Sequence, residues 1–187
     1  MIGNDIIDLS ISLPTNKSED FRFLKKVFSE EEIVLIKESE NPEILLWQLW
    51  SMKEAAYKAH QRAFKLPRKL NPIAYRCSLN SDNKSGIVKV DHSRYSTTTE
   101  INANYIHSSI DAKEEVFQKI YFNISHSKKD LRRNISAGLS VDESFIKVYK
   151  NAEGLPCIHL KKEDKILPIS LSHHGNFTAF IIPLINS

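Results

Sequence analysis

The chain has 187 residues, 41% hydrophobic and 26% charged, a composition with enough apolar content for a real core and far from that of a disordered protein. A formal net charge of +3 is too mild to argue for nucleic acid, and suits anionic small molecules or an acidic protein partner. Cys77 and Cys157, the two cysteines, lie far apart with no CxxC, which argues against a disulfide scaffold or a zinc site and fits a reducing compartment.

The first residues carry acids and lack a basic leader region, and no apolar run approaches the ~20 residues needed to span a bilayer; the expected setting is cytoplasmic, with no membrane. Residues 1–9 read as a short strand containing Gly3-Asn4-Asp5. Gly3 leaves room for close backbone approach. Alternation groups Asp5 with Ile7 and Leu9, an apolar set. The plain reading is that Asp5 or Asp8 ends the strand or caps a turn. The other reading pairs Asp5 with a second carboxylate as oxygen ligands for Mg²⁺, which takes one or two carboxylates beside waters and substrate phosphate. Residues 13–20 are a polar connection, and residues 21–28 show helical spacing at Phe21, Leu24, Val27 and Phe28.

Ser29 and Glu32 form a capping box that opens a helix to about Ser39. Asn41-Pro42 starts a third helix, running to about Phe64 and ended by Pro67. Within it the stretch LWSMKEAAYKA sets Lys53 and Glu54 in an apolar run. On a helix Trp50, Glu54, Tyr57 and Lys58 share one face. Spacing alone makes Glu54 and Lys58 an ordinary i,i+4 ion pair, worth about 0.2–0.5 kcal/mol. That leaves the neighbouring Trp47 and Trp50 unexplained, whereas a carboxylate and an amine on an aromatic-walled face suit a metal and a phosphate.

From Ile73 the texture becomes β-rich, and the Thr-, Val-, Ile- and Tyr-rich runs up to about residue 107 read as a short meander. Residues 111–120 look like the start of a small helix. Residues 145–149 and 156–160 read as two strands joined across an Asn151-Ala-Glu-Gly154 turn. Residues 166–184 are apolar and β-prone, interrupted by SHHGN. There, Ile169, Leu171 and His173 fall on one face and Ser170, Ser172 and His174 on the other; a serine hydroxyl and an imidazole at a strand end can bind phosphate oxygens. A pair of histidines is also a common structural feature. The shorter NISHS run at 123–127 reads as coincidence or capping. The expected architecture is α+β: N-terminal helices packed on antiparallel strands, one domain over 1–187.

In order, Gly3-Asn4-Asp5, the W-S-x-K-E-A-x-x-K run from Trp50 to Lys58, the Gly154-Leu155-Pro156 turn and the SLSH run from Ser170 to His173 resemble the 4′-phosphopantetheinyl transferases. The run from Arg22 to Ile33 is similar to the region after the first motif in holo-acyl-carrier-protein synthases. The resemblance covers residues 1–65 and 145–184, leaving about 70–140 as an insertion relative to the shortest members. It implies a 4′-phosphopantetheinyl transferase fold. It also implies transfer of 4′-phosphopantetheine from coenzyme A to a serine of an acyl or peptidyl carrier protein, with release of adenosine 3′,5′-bisphosphate.

By the same resemblance Asp5 and Glu54 hold Mg²⁺, and Lys58 meets the phosphate under attack. Lys53, Ser172 and His173 contact coenzyme A, and Gly154 and Pro156 form the loop beside its nucleotide. Either Glu54 or a water on the metal takes the serine proton. Where larger members carry a second carboxylate, two residues after the first aspartate, this chain has Ile7; Asp8 is then an indirect ligand through water. If the site needs two lobes, a chain of one lobe implies a homo-oligomer, a trimer as in the short members, with His173 supplied by a neighbour; the alternative is that the β-rich insertion blocks or replaces that interface. Carrier proteins are acidic, so Arg22, Lys25 and Lys26, or Arg62, Lys65, Arg68 and Lys69, are candidate docking cations. The competing readings are a silent relative that binds coenzyme A or a carrier without transfer, and a small nucleic-acid-binding protein. The scattered cations disfavour the latter.

Overall fold

The computed structural model describes residues 1–123 and 127–184. Strand β1 (Asn4–Asp8) is buried along its whole length and leads directly into the single turn α1 (Leu9–Ser12). Asp8 caps that turn: its Oδ1 accepts from the Ser10 amide at 3.0 Å and the Ser10 hydroxyl at 2.6 Å. Two 3-10 turns, Leu13–Thr15 and Lys17–Glu19, occupy the polar connection. Helix α2 (Phe21–Val27) begins under Asp20, whose carboxylate accepts from the Phe23 amide. Helix α3 (Glu30–Glu38) opens with the expected capping box, Ser29 and Glu32 bonding each other's backbone amide. Helix α4 (Pro42–Phe64) has proline in its first turn and ends on Lys65 in the left-handed region, two residues before Pro67.

The β-rich middle is four strands: β2 (Arg76–Leu79), β3 (Ser85–Val90), β4 (Ser93–Ile101) and β5 (Tyr105–Ile110). They are not an appendage. β5 is the antiparallel neighbour of β1, with Asp5 opposite Ser108, in a five-stranded sheet of order β1-β5-β4-β3-β2. Helix α4 lies on this sheet, its Leu49, Met52, Ala56 and Ala59 packing with Val88, Tyr95 and Ile110 in the first core. Gly3 sits where a Cβ would run into the Ala55 carbonyl and the Ala59 amide, so the missing side chain lets β1 touch α4.

The second half departs from the expectation in two places. Residues 111–120 form no helix: after a short connection, β6 (Val116–Phe122) pairs antiparallel with the distant β11. The Lys-Glu-Glu prefix resembles a first helical turn, but the following VFQKIYF is β-branched and aromatic, and long-range pairing decides its state. Helix α5 (Lys128–Leu139) follows, unanticipated from sequence, capped by Ser127 through its hydroxyl and the Lys129 amide. Gly138 leaves the space on α5 that the Phe117 ring of β6 fills.

Strands β7 (Ile146–Lys150), β8 (Pro156–Leu160) and β9 (Lys165–Pro168) form one sheet; β10 (Ser170–His174), β11 (Phe177–Pro183) and β6 form another, in the order β10-β11-β6. Leu131 and Ile135 of α5 join Ile158, Ile169, Phe180 and Ile182 in a second core. Arg62, near the end of α4, donates to the carbonyls of Pro156 and Ile169 at 3.2 and 2.8 Å and stitches the halves together. It is thereby taken out of any solvated docking face. Among the described residues no helix is long and apolar enough to cross a membrane.

Candidate functional site

One edge of β1 is paired to β5; the other meets β10 without a backbone ladder. Instead, alternate side chains of β10 accept alternate amides of β1. Asn4 N–H reaches Ser170 Oγ at 3.0 Å, Ile6 N–H reaches Ser172 Oγ at 3.3 Å, and Asp8 N–H reaches His174 Nδ1 at 3.0 Å. An acceptor at Nδ1 requires the neutral ring to carry its proton on Nε2. This is the Ser170, Ser172, His174 face expected from alternation, and its partner is the strand that bears Asp5.

Where β1, β10 and the second half of α4 converge there is a cleft of about 280 Å³, walled by Asp5, Trp50, Glu54, Lys58, Arg68 and His173. The two oxygens of Asp5 differ sharply. Oδ1 accepts from the Ser172 hydroxyl at 2.7 Å and the Lys58 ammonium at 3.1 Å, whereas Oδ2 is buried and without a hydrogen-bond partner. Lys58 also donates to the Asn4 carbonyl at 2.9 Å. It therefore bonds across to β1 and makes no ion pair with Glu54, its expected i,i+4 partner.

Glu54 makes no hydrogen bond or ion pair among the described residues. Burial, and then the negative charge of Asp5, push its carboxyl up to about 7, against the opposing pull of Lys58 and Arg68. Behind β1, His107 is driven down to about 4 by burial and stays neutral, its Nε2 accepting from the Asn4 side-chain amide. An unpartnered carboxylate oxygen on Asp5 and a second carboxyl, Glu54, pushed up to about 7 on the wall of the same cleft are the local chemistry that a divalent cation relieves. Among the described residues no cluster of three or more His, Cys, Asp or Glu side chains is arranged for a metal. The donor set is two carboxylates, which fits Mg²⁺ finishing its shell with water and phosphate oxygens.

A second cavity, about 700 Å³, adjoins the cleft and shares Leu171 and His173 with it. Its walls include Lys128 and Arg132 from α5, Lys147 and Lys150 from β7, and Lys161, with Tyr149 and Pro156 beside them. No carboxylate is among its described lining, so it is a basic, partly aromatic chamber opening beside the paired acids. Neither α5 nor the cations of β7 stood out in the sequence; the pattern Lys147-x-Tyr149-Lys150 immediately before the Gly154 turn is the signal that marks them.

The structure brings Asp5, Glu54, Lys58, Ser172 and His173 together on the wall of one cleft. Other expected positions fall elsewhere. Lys53 is fully buried, paired to Glu32 Oε2 at 2.8 Å and bonded to the carbonyls of Pro72 and Tyr75, and lines neither cavity. Glu32 also accepts from the Cys77 amide at 2.7 Å, so this ion pair is a structural knot between α3, α4 and β2. Gly154 occupies the exposed β7–β8 turn at φ +75°, outside both cavities; it shapes the turn that delivers Pro156 to the larger one.

Asp8 is committed on both oxygens, with Oδ2 accepting from the Asn176 amide at 2.9 Å, and does not line the cleft. Arg68, expected among docking cations, instead lines the cleft. Of the NISHS run, Asn123 and Ser127 line the larger cavity, with Ser127 also capping α5; residues 124–126 lie outside the described residues.

The family model of the 4′-phosphopantetheinyl transferase superfamily matches residues 1–113, so the whole five-stranded sheet and α4 lie inside the match. Among solved structures, the holo-[acyl-carrier-protein] synthase of Helicobacter pylori in complex with coenzyme A is 19% identical over 98% of both chains, with a TM-score of 0.28. A superposition that loose says nothing about the present cleft. No curated protein matches the chain.

Proposed function

The chain belongs to the 4′-phosphopantetheinyl transferase superfamily, and we propose from that membership and the geometry of the cleft that it moves 4′-phosphopantetheine from coenzyme A to a carrier-protein serine. One observation carries the site assignment: Asp5 has one oxygen saturated by Ser172 and Lys58 and the other unpartnered, beside a Glu54 carboxyl held near 7. Asp5 and Glu54 are the residues that would hold Mg²⁺. When bound, the ion supplies charge neutralisation on the pyrophosphate of coenzyme A.

In the reaction the serine oxygen forms a bond to the β-phosphorus, which carries the pantetheine arm, and the bond from that phosphorus to the bridging oxygen breaks. Adenosine 3′,5′-bisphosphate leaves with the electron pair. Positioning and charge compensation dominate such transfers, since the protein forms no covalent bond of its own. Lys58, anchored to Asp5 and Asn4, has a third N–H to offer a phosphate oxygen at the cleft, and Arg68 adds a second cation. His173, on the wall common to both cavities, is the residue we assign to the pyrophosphate. The basic chamber of Lys128, Arg132, Lys147 and Lys150, with Tyr149, suits the phosphorylated nucleoside. Glu54, on the cleft wall, is the side-chain candidate to receive the serine proton.

The carrier is acidic by the same reading, and α2 offers it Arg22, Lys25 and Lys26, all exposed. Because one chain assembles Asp5, Glu54, Lys58 and His173, transfer would not require a trimer. The test is incubation with coenzyme A, Mg²⁺ and a panel of apo carrier proteins, read by intact mass. A carrier heavier by one phosphopantetheinyl group supports the reading, and no gain on any carrier favours a silent coenzyme A- or carrier-binding relative.

A further inference from the structure

A strand lying beside another normally joins it by a backbone ladder, yet β10 meets β1 through side chains alone. Ser170, Ser172 and His174 stand two residues apart, as do Asn4, Ile6 and Asp8, whose amides they accept. The spacing matches because both strands project alternate groups toward the other. Three buried or half-buried amides of β1 are satisfied in this way, and the strand is held in one register against β10.

The middle rung differs from the outer two. The single proton of the Ser172 hydroxyl is donated to Asp5 Oδ1 at 2.7 Å while its oxygen accepts Ile6 N–H. Among the described residues Ser170 and His174 make no hydrogen bond to the Asp5 carboxylate; they serve the Asn4 and Asp8 amides. Ser172 is 5% exposed and Asp5 6%, so water competes little for this bond. With Lys58 on the same oxygen, Oδ1 is filled and Oδ2 is the oxygen left for a cation.

We propose that Ser172 is a positioning residue for Asp5, fixing which carboxylate oxygen faces the metal, and is not a coenzyme A contact. This rests on the reading of Asp5 and Glu54 as the Mg²⁺ pair. Groups that orient a metal ligand from behind are worth 10–100-fold in affinity when removed. The observations separate this role from plain packing, because Ser170 performs the same backbone service one rung away without touching a carboxylate.

The experiment is Mn²⁺ binding to the full chain, followed by electron paramagnetic resonance of the free ion, with coenzyme A binding measured by calorimetry in chelator. Thermal melts confirm that each variant is folded. Ser172→Ala is expected to weaken Mn²⁺ binding about 10-fold or more with unchanged coenzyme A affinity, while Ser170→Ala leaves Mn²⁺ binding as in wild type. Asp5→Asn is the check on the underlying reading and should abolish Mn²⁺ binding. If Asp5→Asn abolishes binding while Ser172→Ala matches wild type, or if Ser170→Ala weakens binding as much as Ser172→Ala, the positioning role is overturned. If Asp5→Asn itself binds Mn²⁺ normally, the metal reading fails first.

Discussion

Lys58 Nζ stands 3.1 Å from Asp5 Oδ1, a bond from the motif helix α4 to the first strand across 53 residues of chain. Glu54, one turn earlier on the same helix, is left without a partner among the described residues and carries the desolvation of its own burial. The cleft thus has one compensated carboxylate and one strained one, and this asymmetry generates most of the expected behaviour.

Glu54 makes stability depend on pH in the metal-free protein. Its carboxyl titrates near 7 when folded against 4.5 in a free chain, so between those values the folded state binds more protons than the unfolded state. Stability is therefore lost as pH rises through the window, by about 3 kcal/mol for a shift of this size. His107, held down to about 4 by burial, adds stability as pH rises toward 6.5, so the Glu54 effect is read as a difference: from pH 5 to pH 8 in chelator the urea midpoint of the wild type should fall relative to that of Glu54→Gln. Mg²⁺ at pH 8 should restore the wild type and leave Glu54→Gln unmoved.

Lys53 should behave as a structural residue. Removing one partner of a buried ion pair costs about 3–5 kcal/mol, so Lys53→Met is expected to lower the unfolding free energy by that amount. Glu32→Gln in the same background should return part of the loss, because the neutral amide can still serve the capping box. Whatever folded Lys53→Met remains should bind coenzyme A with unchanged affinity by calorimetry. A selective loss of that affinity would put Lys53 back at the site.

The basic chamber should set the Michaelis constant for coenzyme A. Charge-assisted hydrogen bonds contribute about 1.5–3 kcal/mol each, so Arg132→Glu or Lys150→Glu should raise that constant roughly 10–100-fold and leave the carrier-protein constant alone. An unchanged constant for coenzyme A in both variants would empty the chamber of its assigned ligand.

Docking of the carrier should respond in the opposite way. Arg22→Glu combined with Lys25→Glu places two negative charges on the exposed face of α2, and should raise the Michaelis constant for the carrier while sparing that for coenzyme A. The effect should shrink at high salt, as exposed charges are screened. Steady-state kinetics with each substrate varied in turn decides this.

The parts of the fold legible in the sequence are those decided by local chemistry. Ser29 with Glu32 and the Asn151–Gly154 turn satisfy their own backbone groups, and Pro42 lacks the N–H that a first helical position would leave unpaired, so their letters suffice. β6 was not legible, because its partner β11 lies some sixty residues on and a charged prefix imitates a helix start. Helix α5 has apolar positions at Leu131, Ile135 and Leu139, but its cations and the glycine at 138 mask the period. At the site, Asp5 and Glu54 announced themselves as carboxylates set in apolar runs. Lys53 sits beside them in the motif yet points into the core, and spacing cannot tell which side of α4 a lysine serves until Glu32 is seen beneath it. The tie of Ser172 to Asp5 spans 167 residues, and no local signal foretells it.

The most direct measurement compares wild type and Glu54→Ala for transfer to an apo carrier protein in coenzyme A and Mg²⁺, read by intact mass. Circular dichroism and melting establish that both are folded. The wild type should add one phosphopantetheinyl group per carrier and Glu54→Ala should add none in the same time. Equal transfer by the two proteins would contradict the assignment of the cleft.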